Sequence, residues 1–154
     1  MPVVHLNIGA NIGDKEKNIA RAIEGLRAIA LSEIVVSKPM RSEPWGFESE
    51  NEFVNIGVNL ETVMSPEQLL EECQRIEKSI SAASHRDSIG SYADRKIDID
   101  LIAYEYYVCD LQFLTLPHPR MHLRRFVLEP MAEIWPDWRH PLLKMTTMEL
   151  LSDL

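Results

Sequence analysis

The sequence predicts an α+β domain with a ferredoxin-like βαββαβ core, in which a largely antiparallel sheet is packed against helices in α-β-α layers. Apolar residues with strand spacing and apolar residues with helix spacing follow each other along the chain in that order. The length of 154 residues fits one domain with its own core. The chain has no internal repeat or linker-like segment, so we expect a single domain over residues 1–154.

The first half of the core begins with a strand at residues 3–8, where VVHLNI precedes a Gly-Ala-Asn turn. Between residues 11 and 30, apolar side chains recur every three or four positions, which predicts the first helix. A second strand is expected at 33–41, and Pro39 indicates its end or an edge position because proline cannot donate to a neighbouring strand. Residues 42–52 are rich in Pro, Gly, Ser and Glu and are predicted as a loop.

The second half begins with the clearest strand, at residues 53–61, in which apolar and polar side chains alternate strictly. Ser65, Pro66 and Gln68 then have the types expected at the N-cap, N1 and N3 positions of a helix, with the N-cap and N3 residues forming a capping box. Small and polar residues at 81–93 predict a mobile loop.

The last third of the chain is predicted to add one core strand and a C-terminal extension. The predicted elements are a strand at 95–104, a short strand at 107–113, an ordered loop at 114–125 and a short helix at 126–134. Thr146 and Glu149 have the spacing of a second capping box, which predicts a C-terminal helix.

The charge distribution restricts the class of ligand. A net charge of −8 argues against a general nucleic-acid binder. Residues 111–128, however, contain no Asp or Glu but three arginines and two histidines. This local basic segment indicates a small anionic ligand, and the alternative is a solvated basic loop. The absence of a signal-like N-terminus and of a long apolar run predicts a cytoplasmic protein without a membrane partner.

The two cysteines give no indication of a zinc site, because no CxxC or Cys/His cluster is present. Cytosolic cysteines are usually reduced. Cys73 falls on the apolar side of the predicted helix that begins after Ser65, so we expect a packed thiol there rather than a nucleophile.

Two acids, Asp98 and Asp100, occupy alternate positions in the predicted strand at the end of the core. Side chains two residues apart on a strand point to the same side, roughly 6.5–7 Å from each other. Adjacent carboxylates repel unless a cation lies between them, and Mg²⁺ binds one or two carboxylates together with substrate phosphates. Ile97, Ile99 and Leu101 alternate with the acids and are expected to face the core. The pattern predicts a two-metal phosphate site, and the alternative is the solvated face of an amphipathic strand.

Basic residues in and after this strand are candidates for binding phosphate groups. Arg95 and Arg124 are candidates because a guanidinium binds phosphate oxygens bidentately. His118, held between two prolines, is either a phosphate donor or a structural histidine.

Three further residues are candidates for binding a heterocycle. Asn55 lies on the polar face of its strand and has both a donor and an acceptor. Phe53 and Phe126 are either core residues or rings that stack on a ligand. No Walker A, GxGxxG or HRD-type kinase signature is present, so a nucleotide site must be of another type.

Five segments together resemble the 6-hydroxymethyl-7,8-dihydropterin pyrophosphokinases of folate biosynthesis, and the resemblance covers nearly the whole chain. The segments are NIGANIGD, RSEPWGFESENEFVNIGVNLET, SPEQLLEECQRIE, DRKIDIDLIAY and LPHPRMHLRRFVLEPMAEI. The resemblance implies a ferredoxin-like core, transfer of pyrophosphate from ATP to the hydroxymethyl group of the pterin, and release of AMP. No segment resembles the neighbouring folate enzymes that are sometimes fused to this family, so a monofunctional enzyme is expected. The sequence leaves the oligomeric state open, and a monomer is the default expectation.

The resemblance also implies roles for individual residues. Asp98 and Asp100 would hold two Mg²⁺ ions that bridge the phosphates of ATP. The residues implied for the triphosphate are Arg95, His118 and Arg124. Those implied for the nucleotide pocket are Gln74, Glu77, Leu101 and Thr115. Those implied for the pterin pocket are Ser42, Trp45, Phe53, Asn55 and Phe126. Arg86 is assigned a flexible-arginine role in a region that departs from the usual family pattern.

Two alternatives remain open from the sequence. Nucleotidyltransferase and polymerase-palm domains also carry paired acids on a ferredoxin-like sheet, but they release pyrophosphate instead of AMP. A non-catalytic ligand-binding module of the same fold would not need Asp98 and Asp100.

Overall fold

The computed structural model of the protein describes residues 1–42, 52–84 and 97–154. Its main sheet contains β1 (Val3–Ala10), β2 (Val35–Val36), β3 (Met40–Ser42), β4 (Phe53–Glu61) and β5 (Asp98–Tyr104). The helices are α1 (Lys15–Ile29), α2 (Pro66–Ser84), α3 (Arg125–Ile134) and α4 (Thr147–Ser152). A small hairpin is formed by β6 (Cys109–Asp110) and β7 (Thr115–Leu116), and a 3-10 helix covers Met121–Leu123.

The main sheet has the strand order β2-β4-β1-β5, with β3 also paired to β4, and each of these pairings is antiparallel. Strands β2 and β3 lie one after the other along β4 and together take the place of one core strand. The order βαββαβ and the α+β class are therefore confirmed. Strand β1 is central, because β4 and β5 flank it on its two sides.

Each face of the sheet is covered by helices. Helices α1 and α2 pack on one face, where β1 contributes the fully buried Leu6 and Ile8. Helices α3 and α4 contribute to a second apolar cluster around Trp138, which is 0% exposed, and α3 packs against β4. The face of β1 that carries His5 and Asn7 is polar although both residues are buried. This arrangement confirms the layers and leaves polar side chains between the sheet and α3.

Both predicted capping boxes are present. The backbone N–H of Ser65 donates to Gln68 Oε1, and the N–H of Gln68 donates back to Ser65 Oγ. Thr146 and Glu149 exchange the same pair of bonds at the start of α4. The first helix begins later than predicted, at Lys15, because the side chain of Asp14 accepts from the N–H of Lys17 and caps it there.

The predicted second strand at 33–41 is interrupted between β2 and β3. The cause is Ser37, whose N–H donates to the carbonyl of Gly57 while its hydroxyl accepts from the N–H of Gly57 at 2.8 Å. The hydroxyl oxygen of Ser37 thus takes the place of the backbone carbonyl that would accept from Gly57 in a regular strand pair. Pro39, two residues later, has no N–H to donate to β4.

Several other predicted boundaries are wrong, including the end of the first strand, which continues to Ala10 where a turn was expected. The strand expected at 107–113 is limited to β6. The backbone groups of Leu111 and Leu114 hydrogen-bond to each other, and this turn leads the chain into β7. Residues 114–125, expected as a loop, contain β7 and the 3-10 helix. Helix α2 extends to Ser84, into the loop expected at 81–93; the rest of that loop, and most of the one expected at 42–52, lie outside the described residues. No helix in the described ranges has the length and apolar character required to cross a bilayer.

Candidate functional site

The strand register brings the polar residues of three strands together at one end of the sheet. Gly9 on β1 pairs with Asn55 on β4 and with Asp98 on β5, while Asn7 on β1 pairs with Asp100. Directly paired residues on antiparallel strands point to the same face. The two acids and Asn55, which are far apart in sequence, therefore share one surface, with β1 between them.

A cavity of about 120 Å³ opens on this surface. Its lining residues are Asn7, Gly9, Ser42, Phe53, Asn55, Asp98, Asp100, Arg124 and Phe126. Seven of them were predicted as site residues. Asn7 and Gly9 were missed, because their place at the site depends on the pairing of β1 with both neighbouring strands.

Buried neighbours hold Asp98 and Asp100 in place on β5. Ile97, Ile99 and Leu101, which alternate with them, are at most 5% exposed, whereas Asp98 and Asp100 are half-buried. The predicted orientation of the strand is thus confirmed. Two half-buried carboxylates side by side are oxygen donors of the kind that Mg²⁺ binds. Within the described ranges no cluster of three or more His, Cys, Asp or Glu is placed to hold a metal, so this donor set suits an ion that takes further ligands from phosphate and water.

Glu77 on α2 reaches the same strand. Its Oε2 accepts a hydrogen bond of 2.7 Å from the N–H of Ile99, the residue between the two acids. Gln74, one turn earlier, is exposed and is absent from the lining of the described cavities, whereas Leu70 on the preceding turn lines the second cavity described below.

Arg124 supplies positive charge beside the acids. Burial lowers the pKa of its guanidinium, an effect that the charge of Asp100 and, more weakly, that of Asp98 oppose. The guanidinium carbon lies 5.6 Å from the centre of the Phe126 ring, within the range of a cation–π contact. Arg124 is therefore close both to the carboxylates and to the Phe126 ring of the cavity wall.

The polar groups of the cavity are linked by amide hydrogen bonds. Asn55 Nδ2 donates to Asn7 Oδ1 at 2.8 Å, and Asn7 Nδ2 donates to the backbone carbonyl of Phe126 at 3.0 Å. Two buried atoms of the lining residues, Asn55 Oδ1 and Ser42 Oγ, have no hydrogen-bond partner in the part of the chain that the structure describes. Buried polar atoms rarely stay unpaired, so these two are available to a ligand.

A second cavity of about 290 Å³ adjoins the first, and Asp100 lines both. Its lining residues are Leu70, Ile99, Asp100, Leu101, Gln112, Phe113, Leu114, Thr115, His118 and Pro119. Leu101, Thr115 and His118 were predicted for the nucleotide pocket. Residues 112–114 were missed because the β6–β7 hairpin that presents them was not predicted. Leu70, Ile99 and Pro119 were not predicted for the pocket either.

His118 is positioned by its own backbone and by Arg120. Its N–H donates to the carbonyl of Ile102 at 2.8 Å, and its Nδ1 accepts from the N–H of Arg120 at 3.1 Å. Burial, with the charges of Arg124 and Arg120, lowers the pKa of His118 to about 4. The ring is therefore neutral at neutral pH with its proton on Nε2, which makes Nε2 a hydrogen-bond donor.

Three predicted site residues, Trp45, Arg86 and Arg95, lie outside the described residues. The structure thus brings Ser42, Phe53, Asn55, Phe126 and Arg124 together with the acids, and it groups Leu101, Thr115 and His118 in the adjoining cavity.

Known proteins share both the sequence and the fold. The family model for 7,8-dihydro-6-hydroxymethylpterin-pyrophosphokinase matches residues 5–136. A 2-amino-4-hydroxy-6-hydroxymethyldihydropteridine pyrophosphokinase of Porphyromonas gingivalis is 35% identical over 142 residues, covering 92% of this chain and 95% of that protein. The protein of the same name from Methylorubrum extorquens is 38% identical over 138 residues, covering 89% and 85%.

A solved structure of Plasmodium falciparum HPPK-DHPS with pteroate has the same fold, with a TM-score of 0.77 at 14% identity. It covers 99% of this chain, and the chain spans 42% of the solved one. Together with the family match over most of the chain, the similarities confirm the predicted enzyme class, and the chain belongs to the family of 7,8-dihydro-6-hydroxymethylpterin-pyrophosphokinases.

Proposed function

We propose that the two adjoining cavities divide the substrates of this pyrophosphokinase between them, with the pterin in the cavity lined by Phe53, Asn55 and Phe126 and ATP in the cavity lined by Thr115 and His118. The reaction itself is that of the family, pyrophosphoryl transfer to 6-hydroxymethyl-7,8-dihydropterin in folate biosynthesis. The observation that supports the division is that Asp100 lines both cavities, so that one acid is within reach of both substrates.

Asp98 and Asp100 are the residues that would hold Mg²⁺, and two ions are proposed. When bound, Mg²⁺ neutralises charge on phosphate oxygens and lowers the pKa of a hydroxyl group that it contacts. The chain's part is to fix the carboxylates. The buried Ile97, Ile99 and Leu101 orient β5. Glu77 holds the strand through the hydrogen bond that it accepts from the backbone N–H of Ile99.

Arg124 and His118 are proposed to bind the triphosphate of ATP. Arg124 is next to the acids and presents a guanidinium, which pairs with phosphate oxygens. His118 offers Nε2–H as a donor, because its Nδ1 already accepts from the backbone. The assignment of Arg95 and Arg86 to the same role, and of Gln74 to the nucleotide pocket, rests on the family resemblance.

The pterin would lie between the rings of Phe53 and Phe126, with Asn55 Oδ1 and Ser42 Oγ as polar partners and Trp45 as a further contact. Both polar atoms are buried and have no partner within the described part of the site, so a polar heterocycle would satisfy them. Stacking and these bonds orient the hydroxymethyl group toward the acids. Holding two reactants in line supplies a large part of the rate acceleration in phosphoryl transfer.

The reaction is tested by incubating the protein with Mg²⁺, ATP and 6-hydroxymethyl-7,8-dihydropterin and separating the nucleotide products. We expect one AMP for each pterin pyrophosphate. Formation of ADP would indicate transfer of a single phosphate, and release of free pyrophosphate would indicate the nucleotidyltransferase chemistry that the family comparison does not favour. Either product as the main one contradicts the proposal.

The metal assignment is tested with Asp98→Ala and Asp100→Ala. Both side chains are half-buried at a cavity, so we expect both variants to fold, with turnover lowered on the order of a thousandfold. Asp137→Ala is the matched control, because this acid is exposed and lies away from both cavities. Wild-type turnover in either of the first two variants would rule out the metal site.

The remaining expectations concern the protein as a whole. We propose that it acts in the cytoplasm as a single-domain monomer on small-molecule substrates, without a nucleic-acid partner. The net charge of −8 supports the last point. Analytical ultracentrifugation tests the monomer, and a sedimentation coefficient of a dimer would contradict it.

A further inference from the structure

The carbonyl of Phe126 lacks the donor that an α-helix normally supplies. In an α-helix the carbonyl of residue i accepts from the N–H of residue i+4, and four residues after Phe126 the chain has Pro130, which has no N–H. The side chain of Asn7 replaces this missing donor, because its Nδ2 donates to the Phe126 carbonyl at 3.0 Å. The proline in α3 thus creates an acceptor for a side chain from the central strand.

This contact fixes the orientation of two amide side chains. A backbone carbonyl can only accept, so Asn7 must present its Nδ2 to Phe126 and its Oδ1 to Asn55. Asn55 must then present its Nδ2 to Asn7, which it does at 2.8 Å. The Oδ1 of Asn55 is consequently the amide atom left over, and it is buried without a partner among the described residues.

Gly9 makes room for this arrangement. A Cβ atom at Gly9 would lie 2.6 Å from Asn55 Nδ2 but 3.9 Å from Asn55 Oδ1. The nitrogen of the amide therefore lies against the backbone of β1, and the oxygen is turned away from it.

We propose that Asn7 is a positioning residue that determines which edge of the heterocycle the site accepts. It holds Asn55 so that a carbonyl oxygen is offered to the ligand, which selects an edge that carries N–H donors. The pterin ring has such an edge in its N3–H and 2-amino groups. Asn7 also ties the first turn of α3, which carries the ring of Phe126, to the central strand. The inference rests on the proposed binding of the pterin at Asn55.

The matched control is Asn59 on the same face of the sheet. Its Nδ2 donates to the carbonyl of Ile134 near the other end of α3, and its Oδ1 accepts from Nδ1 of His5. Asn59 thus makes the same kind of link to α3 without lining the cavity. Asn59→Ala removes a similar structural contact and leaves the Asn55 amide in place.

The first test is a double-mutant cycle on pterin binding. The dissociation constant of 6-hydroxymethylpterin is measured by calorimetry with Mg²⁺ and saturating α,β-methylene-ATP for the wild type, Asn7→Ala, Asn55→Ala and the double variant. We expect Asn7→Ala to weaken binding about tenfold, and the double variant to bind no more weakly than Asn55→Ala. Affinity for the ATP analogue should stay within about twofold of the wild type, as should pterin binding by Asn59→Ala.

The second test measures orientation, which a merely structural role of Asn7 would not change. N3-methylation removes a donor from the pterin, so the wild type should bind the N3-methyl analogue at least tenfold more weakly than 6-hydroxymethylpterin. In Asn7→Ala the amide of Asn55 can turn over, and this ratio should fall toward one. Asn7→Ser is a smaller change that keeps a polar side chain, and it is measured in parallel. The test can then still be decided if Asn7→Ala fails to fold.

Three outcomes overturn the inference. They are equal pterin binding by the wild type and Asn7→Ala, independent losses in the double-mutant cycle, and equal binding of the N3-methyl analogue and its parent by the wild type. If the wild type binds ATP but no pterin, the proposed function fails together with the inference. If it binds pterin and forms AMP but shows one of the three outcomes, only the inference fails.

Discussion

The carboxylate of Glu77 on α2 accepts a hydrogen bond of 2.7 Å from the backbone N–H of Ile99, the residue between Asp98 and Asp100. A hydrogen bond from a partly buried amide to a charged oxygen contributes about 1.5–3 kcal/mol, and its removal leaves the amide unsatisfied. We expect Glu77→Ala to lower the free energy of unfolding by about 2 kcal/mol and to reduce turnover. Glu77→Gln, which keeps an acceptor oxygen, should retain most of both. Urea denaturation and steady-state kinetics check this prediction.

Glu72 on the same helix is the control for Glu77. It pairs with Arg75 at 2.8 Å, but the Arg75 side chain is 62% exposed. Exposed pairs of this kind contribute about 0–1 kcal/mol, so Glu72→Ala should change stability by less than 1 kcal/mol. Equal losses in Glu72→Ala and Glu77→Ala would show that the bond to Ile99 has no special role.

Gly9 is predicted to be required for pterin binding. A Cβ atom there would lie 2.6 Å from Asn55 Nδ2, closer than real contacts allow, so Asn55 would have to move. We expect Gly9→Ala to raise the KM for the pterin about tenfold or more, with little change in the KM for ATP. Gly25→Ala is the control, because its Cβ would crowd Ile76 at 3.0 Å between α1 and α2, away from both cavities. An unchanged pterin KM in Gly9→Ala would contradict the prediction.

Some site residues could be predicted from a local period, whereas others, such as Ser42 and Thr115, were predicted only from the family resemblance. Asp98 and Asp100 share a face because they are two residues apart on a strand, and the same holds for Phe53 and Asn55. The capping boxes at Ser65 and at α4 were also predictable, because their partners are three residues apart.

The residues that were missed depend on contacts between distant parts of the chain. Asn7 belongs to the site through the register of β1 with β4 and β5 and through a carbonyl that Pro130 leaves free. The break between β2 and β3 results from a bond between Ser37 and Gly57, twenty residues apart. Spacing within one segment carries no information about such partners, which are fixed only when the sheet and α3 pack together.

Cys73 is predicted to be unreactive in the folded protein. Its side chain is 0% exposed, which confirms the packed thiol expected from the sequence. Burial, followed by the charges of Glu77, Glu72 and Asp100, raises the pKa of the thiol to about 12. Because the thiolate is the reactive form, iodoacetamide at pH 8 should leave Cys73 unmodified and modify it after denaturation.

Peptide mass spectrometry compares Cys73 with Cys109, which is half-buried on the small hairpin. The half-buried thiol should be alkylated faster in the native protein. Alkylation of native Cys73 at the same rate as Cys109 would contradict the prediction.

His5 is predicted to make the stability of the fold depend on pH. It is fully buried beneath α3, and burial lowers its pKa from 6.5 to about 4, although the hydrogen bond with Asn59 opposes this effect. Above pH 6.5 the ring is neutral in both the folded and the unfolded chain. Between pH 6.5 and about 4 only the unfolded chain takes up the proton, so the folded state loses stability as the pH falls, and the loss levels off below about pH 4.

The expected loss from His5 between pH 7.5 and pH 5 is about 2 kcal/mol, since one pKa unit corresponds to about 1.4 kcal/mol. His118, whose pKa is also lowered, acts in the same direction and remains in every variant. Urea denaturation at the two pH values should therefore show a smaller difference for His5→Phe, which keeps a ring of similar size but cannot be protonated. Asn59→Ala removes the hydrogen bond but keeps the imidazole, so its pH dependence should persist. A pH dependence that is the same in His5→Phe as in the wild type would assign the effect to other groups.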